Sequence, residues 1–157
     1  MQSFKGPIVV YTLVLGVLYL LLGFLEFIEG FSVMFLPLEY HVNLLGSFIP
    51  GDLFGGFSAI IIGSILTRSL FLRHKKYEAF IYVLVGSALA ITFGVLYVLI
   101  AGANGLSAYI TGEEWTWTED MSRYEILLLP FSTLLAFISW HVIKSITKRN
   151  YQISSAC

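Results

Sequence analysis

Four long apolar runs, separated by short charged or broken segments, constrain this chain more than any other feature of its sequence. A helix of about 20 apolar residues crosses a hydrocarbon core of about 30 Å, and each run is at least that long. Since 57% of the residues are hydrophobic and 12% are charged, a water-soluble domain of this length could not bury its apolar surface. The sequence therefore predicts an all-α integral membrane protein, a four-helix transmembrane bundle in a single domain. The predicted spans are residues 7–29, 51–72, 79–103 and 123–146 of the 157 residues.

The distribution of Lys and Arg predicts how the bundle is oriented. Cytoplasmic segments next to membrane spans are enriched in these residues. The densest cationic cluster is the turn of residues 73–76, between the second and third spans, and other cations lie near the two termini. If this turn and both termini are cytoplasmic, Arg123 is the one Lys or Arg on the outside. We therefore predict a multi-pass protein of the cell membrane with both termini in the cytoplasm.

Three segments between the spans need separate interpretations. Residues 31–52 are apolar but interrupted by Pro37 and Pro50, which predicts an interfacial segment after the first span. Residues 113–120 carry acids and two Trp residues, typical of a solvated loop beside an interfacial aromatic belt. The uncharged stretch of residues 104–112 exceeds the length that the third span needs. It can tilt, re-enter the membrane or lie flat on its surface.

Small residues recur every three or four positions in the first three spans. In lipid, such residues mark the helix faces where another helix approaches closely. The residues predicted to mediate helix packing are Gly16, Gly23, Gly55, Ala59, Gly63, Gly86 and Gly94. Three such faces exceed what one small bundle needs, so we expect some of them to contact other membrane subunits or a second copy of the chain. The other expected partner is the lipid bilayer itself.

The glycine spacing of residues 16–23 and 55–68 is similar to that of the first two spans of DoxX-type four-helix membrane proteins. The first span lacks the basic residue expected in that family. No functional residue is therefore assigned from this resemblance.

Three carboxylates are the best candidates for a functional site: Glu26, Glu29 and Asp52. If the first two spans pack through their small faces, all three gather near the outer end of one helix pair. Acidic side chains within a membrane are energetically costly and usually bind an ion, a proton or a cationic ligand. His41, in the intervening segment, could join Glu26, Glu29 and Asp52 as metal ligands. In the alternative interpretation, the glutamates reach the interface and Asp52 caps the second span.

The remaining sequence gives no catalytic signature. It contains no P-loop, no dinucleotide-binding glycine motif, no GxSxG and no HExxH, and its one cysteine, Cys157, cannot form a disulfide within the chain. No catalytic residue, cofactor or nucleic-acid partner is predicted. The first hypothesis is an accessory, structural or ligand-binding subunit of a membrane assembly. The alternative is a small transporter or ion pathway that uses the outer carboxylates, and the third is a membrane metalloenzyme.

Overall fold

The computed structural model describes residues 7–37, 51–72, 76–112 and 114–154, which are almost entirely helical. The five helices are α1 (Pro7–Phe35), α2 (Leu53–Phe71), α3 (Lys76–Thr111), α4 (Trp117–Met121) and α5 (Tyr124–Ser154). All except α4 are long and apolar enough to cross a membrane. Each of these four helices contains or closely matches one of the predicted spans.

Helix α1 is longer than predicted, because residues 31–35 are helical and not part of a connector. Aromatic rings at four-residue intervals line this extension. The centroids of Phe27 and Phe31 are 6.5 Å apart, and those of Phe31 and Phe35 are 4.7 Å apart. Such i, i+4 pairs stabilise a helix, and Pro37, which has no N–H to donate, follows its end. Residues 38–50 of the predicted interfacial segment, which include His41, lie outside the described residues.

Helix α3 continues to Thr111, so the uncharged stretch after the third predicted span extends the same helix. It ends at Gly112, whose φ of +73° is typical of the left-handed residue that terminates a helix. The ring of Trp115 lies against Gly105, where a methyl group would be 2.8 Å from ring atoms. The Trp115 indole N–H also donates to Asp120 at 2.9 Å. These contacts hold the loop before α4 against α3.

The residues before the fourth span form two helices, not one. Helix α4 starts after Thr116, within the segment predicted to be a loop, and ends at Met121. Helix α5 then begins at Tyr124 and continues as a helix through Pro130. The break between α4 and α5 leaves Arg123 outside both helices, where its side chain is free to turn towards α2 and α3.

Helices α1 and α2 pack closely because small residues of each helix lie against the backbone of the other. A methyl group at Gly23 would lie 2.7 Å from the Ala59 Cβ atom and 2.9 Å from the Gly56 carbonyl oxygen. One at Gly63 would lie 2.7 Å from the Leu20 Cγ atom. Contacts this short are not sterically allowed, so any larger side chain here would push the helices apart. The interface therefore requires small residues.

The other glycines predicted for helix packing also face helices of the same chain. A methyl group at Gly86 of α3 would lie 2.8 Å from Leu66 of α2, and one at Gly94 would lie 2.7 Å from Leu129 of α5. Gly16 faces Leu66 and Thr67 of α2 in the same way. These faces are used within the bundle, so the glycine pattern by itself does not indicate a partner protein.

Replacing Gly56 by Ala should destabilise the bundle. Its new methyl group would lie 2.8 Å from the Gly23 carbonyl oxygen and from the Phe27 Cα atom, both backbone atoms of α1. Overpacking of this kind typically costs about 1–3 kcal/mol. We expect a lower thermal unfolding temperature of the purified protein in detergent.

Gly102→Ala is the matched control, because a methyl group there has no atom within 4 Å. Since Ala is the better helix former, this variant should unfold at the same temperature as the wild type or slightly higher. Equal unfolding temperatures for the two variants would contradict the tight α1–α2 contact.

Candidate functional site

Charged and tyrosine side chains from four helices or their flanks converge at one end of the bundle, called here the acidic end. This end combines the C-terminal part of α1, the N-termini of α2 and α5 and the middle of α3. The residues concerned are Glu26, Asp52, Tyr97, Arg123, Tyr124 and Glu125. Glu26 points inward because it lies on the same helix face as Thr12, Tyr19 and Gly23, at spacings of three and four residues.

Glu26 is completely buried, with 0% of its surface exposed. Its Oε2 atom accepts a short hydrogen bond from the Tyr124 hydroxyl at the start of α5. Its Oε1 atom is also buried, and within the described part of the chain no hydrogen bond reaches it. The carboxyl group is therefore held on one side and unpartnered on the other.

Glu125 is the second buried carboxyl group of the acidic end, and the sequence did not suggest this role. The Glu125 side chain is only 4% exposed, and Arg123, two residues before it, pairs with Asp52. Among the described residues, neither carboxylate oxygen of Glu125 accepts a hydrogen bond of normal geometry, although Tyr124 and Glu26 lie close enough to act on it as weak partners. Glu125 lies close enough to Glu26 for the two charges to act on each other. Two carboxyl groups therefore face each other with three unpartnered oxygens.

Asp52, in contrast, has several partners. Its Oδ1 atom caps α2 by accepting from the backbone N–H groups of Phe54 (3.1 Å) and Gly55 (3.2 Å). Its Oδ2 atom accepts from the Tyr97 hydroxyl at 2.8 Å and lies 3.6 Å from a guanidinium nitrogen of Arg123. The predicted cap is present, and the same carboxylate also joins α2 to α3 and α5.

These partners determine the protonation of Asp52. Burial raises the pKa of its carboxyl group, but the hydrogen bonds from Tyr97, Gly55 and Phe54 and the positive charge of Arg123 outweigh that effect. The pKa of Asp52 therefore lies below its usual value of 3.8. Asp52 is a stable anion that neutralises Arg123, and it is not an open ligand.

Gly55 makes room for the acidic end. A methyl group there would lie 3.0 Å from Oε1 of Glu26 and 3.2 Å from Cγ of Asp52, and it would overlap the Tyr97 hydroxyl. The two carboxylates thus lie on either side of this glycine, as the predicted packing of the first two spans requires. The Arg123 guanidinium lies over the Tyr97 ring, with its central carbon 4.6 Å from the ring centre, and so covers these side chains.

Glu29, the third predicted carboxylate, occupies a different position. It lies nearly one turn further along α1 than Glu26, against Gly51, where a methyl group would be 3.2 Å from the Glu29 side chain. The side chain is buried, and its Oε2 atom has no hydrogen-bond partner among the described residues.

The predicted metal site can be assessed only in part. Within the described ranges, no group of three or more His, Cys, Asp or Glu side chains is arranged to hold a metal ion. His41, the fourth predicted ligand, lies outside these ranges. The combination of His41 with Glu26, Glu29 and Asp52 thus stays a prediction.

Sequence reasoning missed Tyr97, Tyr124 and Glu125 as members of the site. A signal for Glu125 was present, because it lies seven and fourteen residues before Ser132 and Ser139, which both face the bundle interior. Tyr97 and Tyr124 offered no comparable signal, since a tyrosine near a membrane interface is common in any span.

Residues 2–142 match a family model described as the MJ0565 integral membrane domain. No curated protein and no solved structure matches the chain significantly. The match and the four apolar helices together confirm the predicted class, an integral membrane protein with four spans. The description names no ligand, reaction or partner.

Asp52→Asn should lower the stability of the folded protein by about 1–3 kcal/mol at neutral pH, because a charged acceptor is replaced by a neutral one. The pKa of Asp52 is lower in the folded state than its usual value of 3.8. Its contribution to the stability of the fold is therefore fully present above pH 3.8 and is lost as the pH falls through the lower pKa of the folded state. The difference between wild type and variant should therefore shrink below pH 3.8. Thermal unfolding in detergent across a pH series measures it.

Glu114→Gln is a suitable control for that series, because this carboxylate is exposed at the same end of the chain's fold. It should differ little from the wild type at any pH. A constant difference between Asp52→Asn and the wild type across the whole range would contradict the role assigned to the Asp52 charge.

Proposed function

We propose that this chain, which belongs to the MJ0565 integral membrane domain family, binds a small cation through Glu26 and Glu125 at the acidic end of its bundle. The observation that carries the proposal is the set of three buried carboxylate oxygens without a hydrogen-bond partner among the described residues. The function is thus the ligand-binding role predicted from the sequence, with Glu26 retained from the predicted site and Glu125 added to it.

Electrostatics support a positively charged ligand. An ionised carboxylate is expensive to bury in a region of low dielectric constant unless a donor or cation compensates it. Among the described residues, the cation close to the pair is Arg123, and it lies beside Asp52 at 3.6 Å, where it balances a third carboxylate. The Glu26–Glu125 pair therefore keeps a net negative charge unless it takes up a cation or a proton.

Each side chain has a separate role in this proposal. Glu26 and Glu125 hold the cation between them. Tyr124 holds the Glu26 carboxylate in place through its hydrogen bond to Oε2, which leaves Oε1 open. Tyr97 and Arg123 fix Asp52 at the rim, and Gly55, which has no side chain, leaves room for the Tyr97 hydroxyl and the two carboxylates.

The location of the site suits a pathway across the membrane. In the orientation that the Lys and Arg residues predict, both termini are cytoplasmic and the acidic end faces the exterior. A ligand would then reach Glu26 and Glu125 from outside, past Asp52 and Arg123. The transporter or ion-pathway hypothesis follows if the ligand leaves on the other side.

A subunit role in a membrane assembly is the second candidate, and the far end of α3 favours it. Leu106, Tyr109 and Ile110 are 62%, 86% and 75% exposed on this helix. Its apolar length from Tyr77 to Thr111 exceeds the roughly 20 residues that a bilayer requires. Purification after mild detergent extraction tests this candidate, since a stoichiometric membrane partner supports it and a lone chain contradicts it. The metalloenzyme hypothesis depends on His41, outside the described residues.

Glu26→Gln should abolish cation binding while leaving the fold intact. The amide keeps the shape of the side chain and can still accept from Tyr124, but it carries no charge. We would measure the thermal unfolding temperature in detergent over a panel of Na⁺, K⁺, Mg²⁺, Ca²⁺ and tetramethylammonium chlorides and over pH. A ligand at 100 times its Kd stabilises the folded state by about 2.7 kcal/mol, which such a measurement detects.

The unfolding temperature of the wild type should rise with at least one cation of the panel or on acidification. Glu26→Gln and Glu125→Gln should need at least ten times the ligand concentration for the same rise. Glu114→Gln, an exposed carboxylate at the same end, should respond like the wild type. A response that survives in both buried variants, or no response of the wild type at all, would rule out the site.

A further inference from the structure

We propose that an apolar groove between α1 and α5 holds one hydrocarbon chain of an anionic phospholipid, whose headgroup lies beside Lys144 and Lys148 of α5. The groove is in the half of the bundle away from the acidic end, and the inference does not depend on the proposed cation site. The groove has a volume of about 320 Å³ and is open along one side. The residues that line it are Pro7, Ile8, Tyr11, Leu134, Leu135 and Ile138.

The groove lies where tyrosine side chains bridge α1 and α5. The Tyr11 hydroxyl donates to the Phe131 carbonyl oxygen at 2.9 Å, and the Tyr19 hydroxyl lies 3.1 Å from that of Ser132. A phenol ring between two helices keeps their backbones further apart than a glycine does. Helix α1 accordingly lies closer to α2, which it meets through glycines, than to α5. The remaining space between α1 and α5 is the groove.

The lining of the groove suits a hydrocarbon chain. Four of its members are Ile or Leu side chains, and the hydroxyl of Tyr11, its polar member, already donates to the main chain. A hydrocarbon chain needs only van der Waals contacts, which such side chains provide. A methylene group is about as large as a water molecule, whose share of the liquid is about 30 Å³, so the groove has room for about ten chain carbons.

The depth of the groove matches a lipid chain that starts at the Lys-rich end of α5. The apolar part of this helix runs from Tyr124 to Lys148. Along the axis, Lys144 lies about 9 Å beyond Ile138, and Lys148 lies about 15 Å beyond it. One leaflet contributes half of a hydrocarbon core of about 30 Å, which is about 15 Å. A chain whose headgroup lies beside these lysines therefore reaches Ile138.

Charge favours an anionic headgroup. Hydrocarbon surrounds every outward helix face in a bilayer, so apolar contact by itself does not select one lipid. Lys144 and Lys148 are exposed, and basic side chains at a membrane surface attract anionic headgroups. Pro7 is the first residue of α1, so the positive end of that helix dipole lies at the same groove. In the sequence, no Asp or Glu precedes Glu26 or follows Glu125, and acidic repulsion at this end of α1 and α5 is therefore small.

The size of the groove distinguishes a lipid chain from a helix of another subunit. A helix with its side chains is at least about 10 Å across, so that a 10 Å length of it fills more than about twice the volume of the groove. A single extended chain is much narrower and fits between α1 and α5 without moving them. The occupant that the shape and the charge both favour is thus a phospholipid.

The test uses the purified full-length chain in detergent, titrated with phosphatidylglycerol or with phosphatidylcholine that carries the same chains. Native mass spectrometry measures how many lipids each protein binds and how tightly. The wild type should bind one phosphatidylglycerol at least tenfold more tightly than phosphatidylcholine. Since the chains are identical, the difference reports the headgroup.

Ile138→Trp tests the groove, because the larger ring fills it. This variant should bind phosphatidylglycerol at least tenfold more weakly. Phe137→Trp is the matched control, since residue 137 is the next one along α5, is 70% exposed and lies outside the groove. It should bind like the wild type. Thermal unfolding without lipid shows whether each variant is folded, and Leu134→Trp, at a groove residue that is 53% exposed, replaces Ile138→Trp if that variant is not.

Replacing both Lys144 and Lys148 by Gln tests the headgroup. The preference for phosphatidylglycerol should fall at least fivefold, with phosphatidylcholine binding unchanged. Arg68→Gln is the control, because Arg68 is an exposed cation at the same end of the bundle but lies over the Tyr82 ring, away from the groove.

Three results would overturn the lipid site. The first is equal affinity of the wild type for the two lipids, and the second is unchanged phosphatidylglycerol binding in a folded groove-filling variant. The third is a wild-type dimer that the groove-filling variant converts to a monomer, since a second copy of the chain would then occupy the groove.

Discussion

The hydrogen bond between Tyr124 and Glu26 is the interaction on which the acidic end depends. It joins the start of α5 to the interior of α1, 98 residues apart in sequence, with both partners buried. In lipid, no surrounding water can satisfy a polar group, so each must find its partner within the protein. The bond therefore determines where α5 begins relative to α1, and this places Arg123 over Tyr97 and Glu125 next to Glu26.

Helix α1 meets α2 and α5 through neighbouring residues of a single helix face. Its glycines approach the backbone of α2, and a methyl group at Gly23 already has no room. Its polar residues face α5, where Tyr19 and Ser132 are in contact through hydroxyl groups that can exchange donors and acceptors. A tightly packed glycine interface leaves few alternative arrangements, whereas hydroxyl and carboxyl groups can change partners without moving the backbone. The chemistry of the site thus belongs to the α1–α5 interface, and the rigidity belongs to α1–α2.

Much of the fold could be predicted from the sequence, because the signals were local. The four spans follow from apolar runs whose length matches a bilayer, and the inward position of Glu26 follows from its place in a pattern of three and four residues with Gly23 and Tyr19. The extension of α1 to Phe35 was missed because apolar residues beyond the required length were interpreted as a connector. Local aromatic pairs, which a hydropathy argument does not count, continue the helix instead.

The candidate site was less predictable, since its members come from four separate parts of the chain. Asp52 was expected near Glu26, and the structure places both beside Gly55. The partners of these two residues could not be deduced, because the sequence does not specify which helix lies opposite Glu26. In the sequence alone, the opposite charges of Arg123 and Glu125, two residues apart, suggest a local ion pair. In the fold, the Arg123 side chain pairs with Asp52, and the neighbour of Glu125 is the carboxyl group of Glu26.

The difference between Asp52, which has partners, and the Glu26–Glu125 pair, which lacks them, has a consequence for the direction in which a bound charge would move. Asp52 is satisfied and ionised at the rim, and the pair further inside is not satisfied. A charge that reaches the pair has therefore left water and entered the region where the membrane potential acts. In the orientation that the cation distribution predicts, this entry is from the outside, and a potential of 100 mV, negative inside, favours inward movement by about 2.3 kcal/mol per charge.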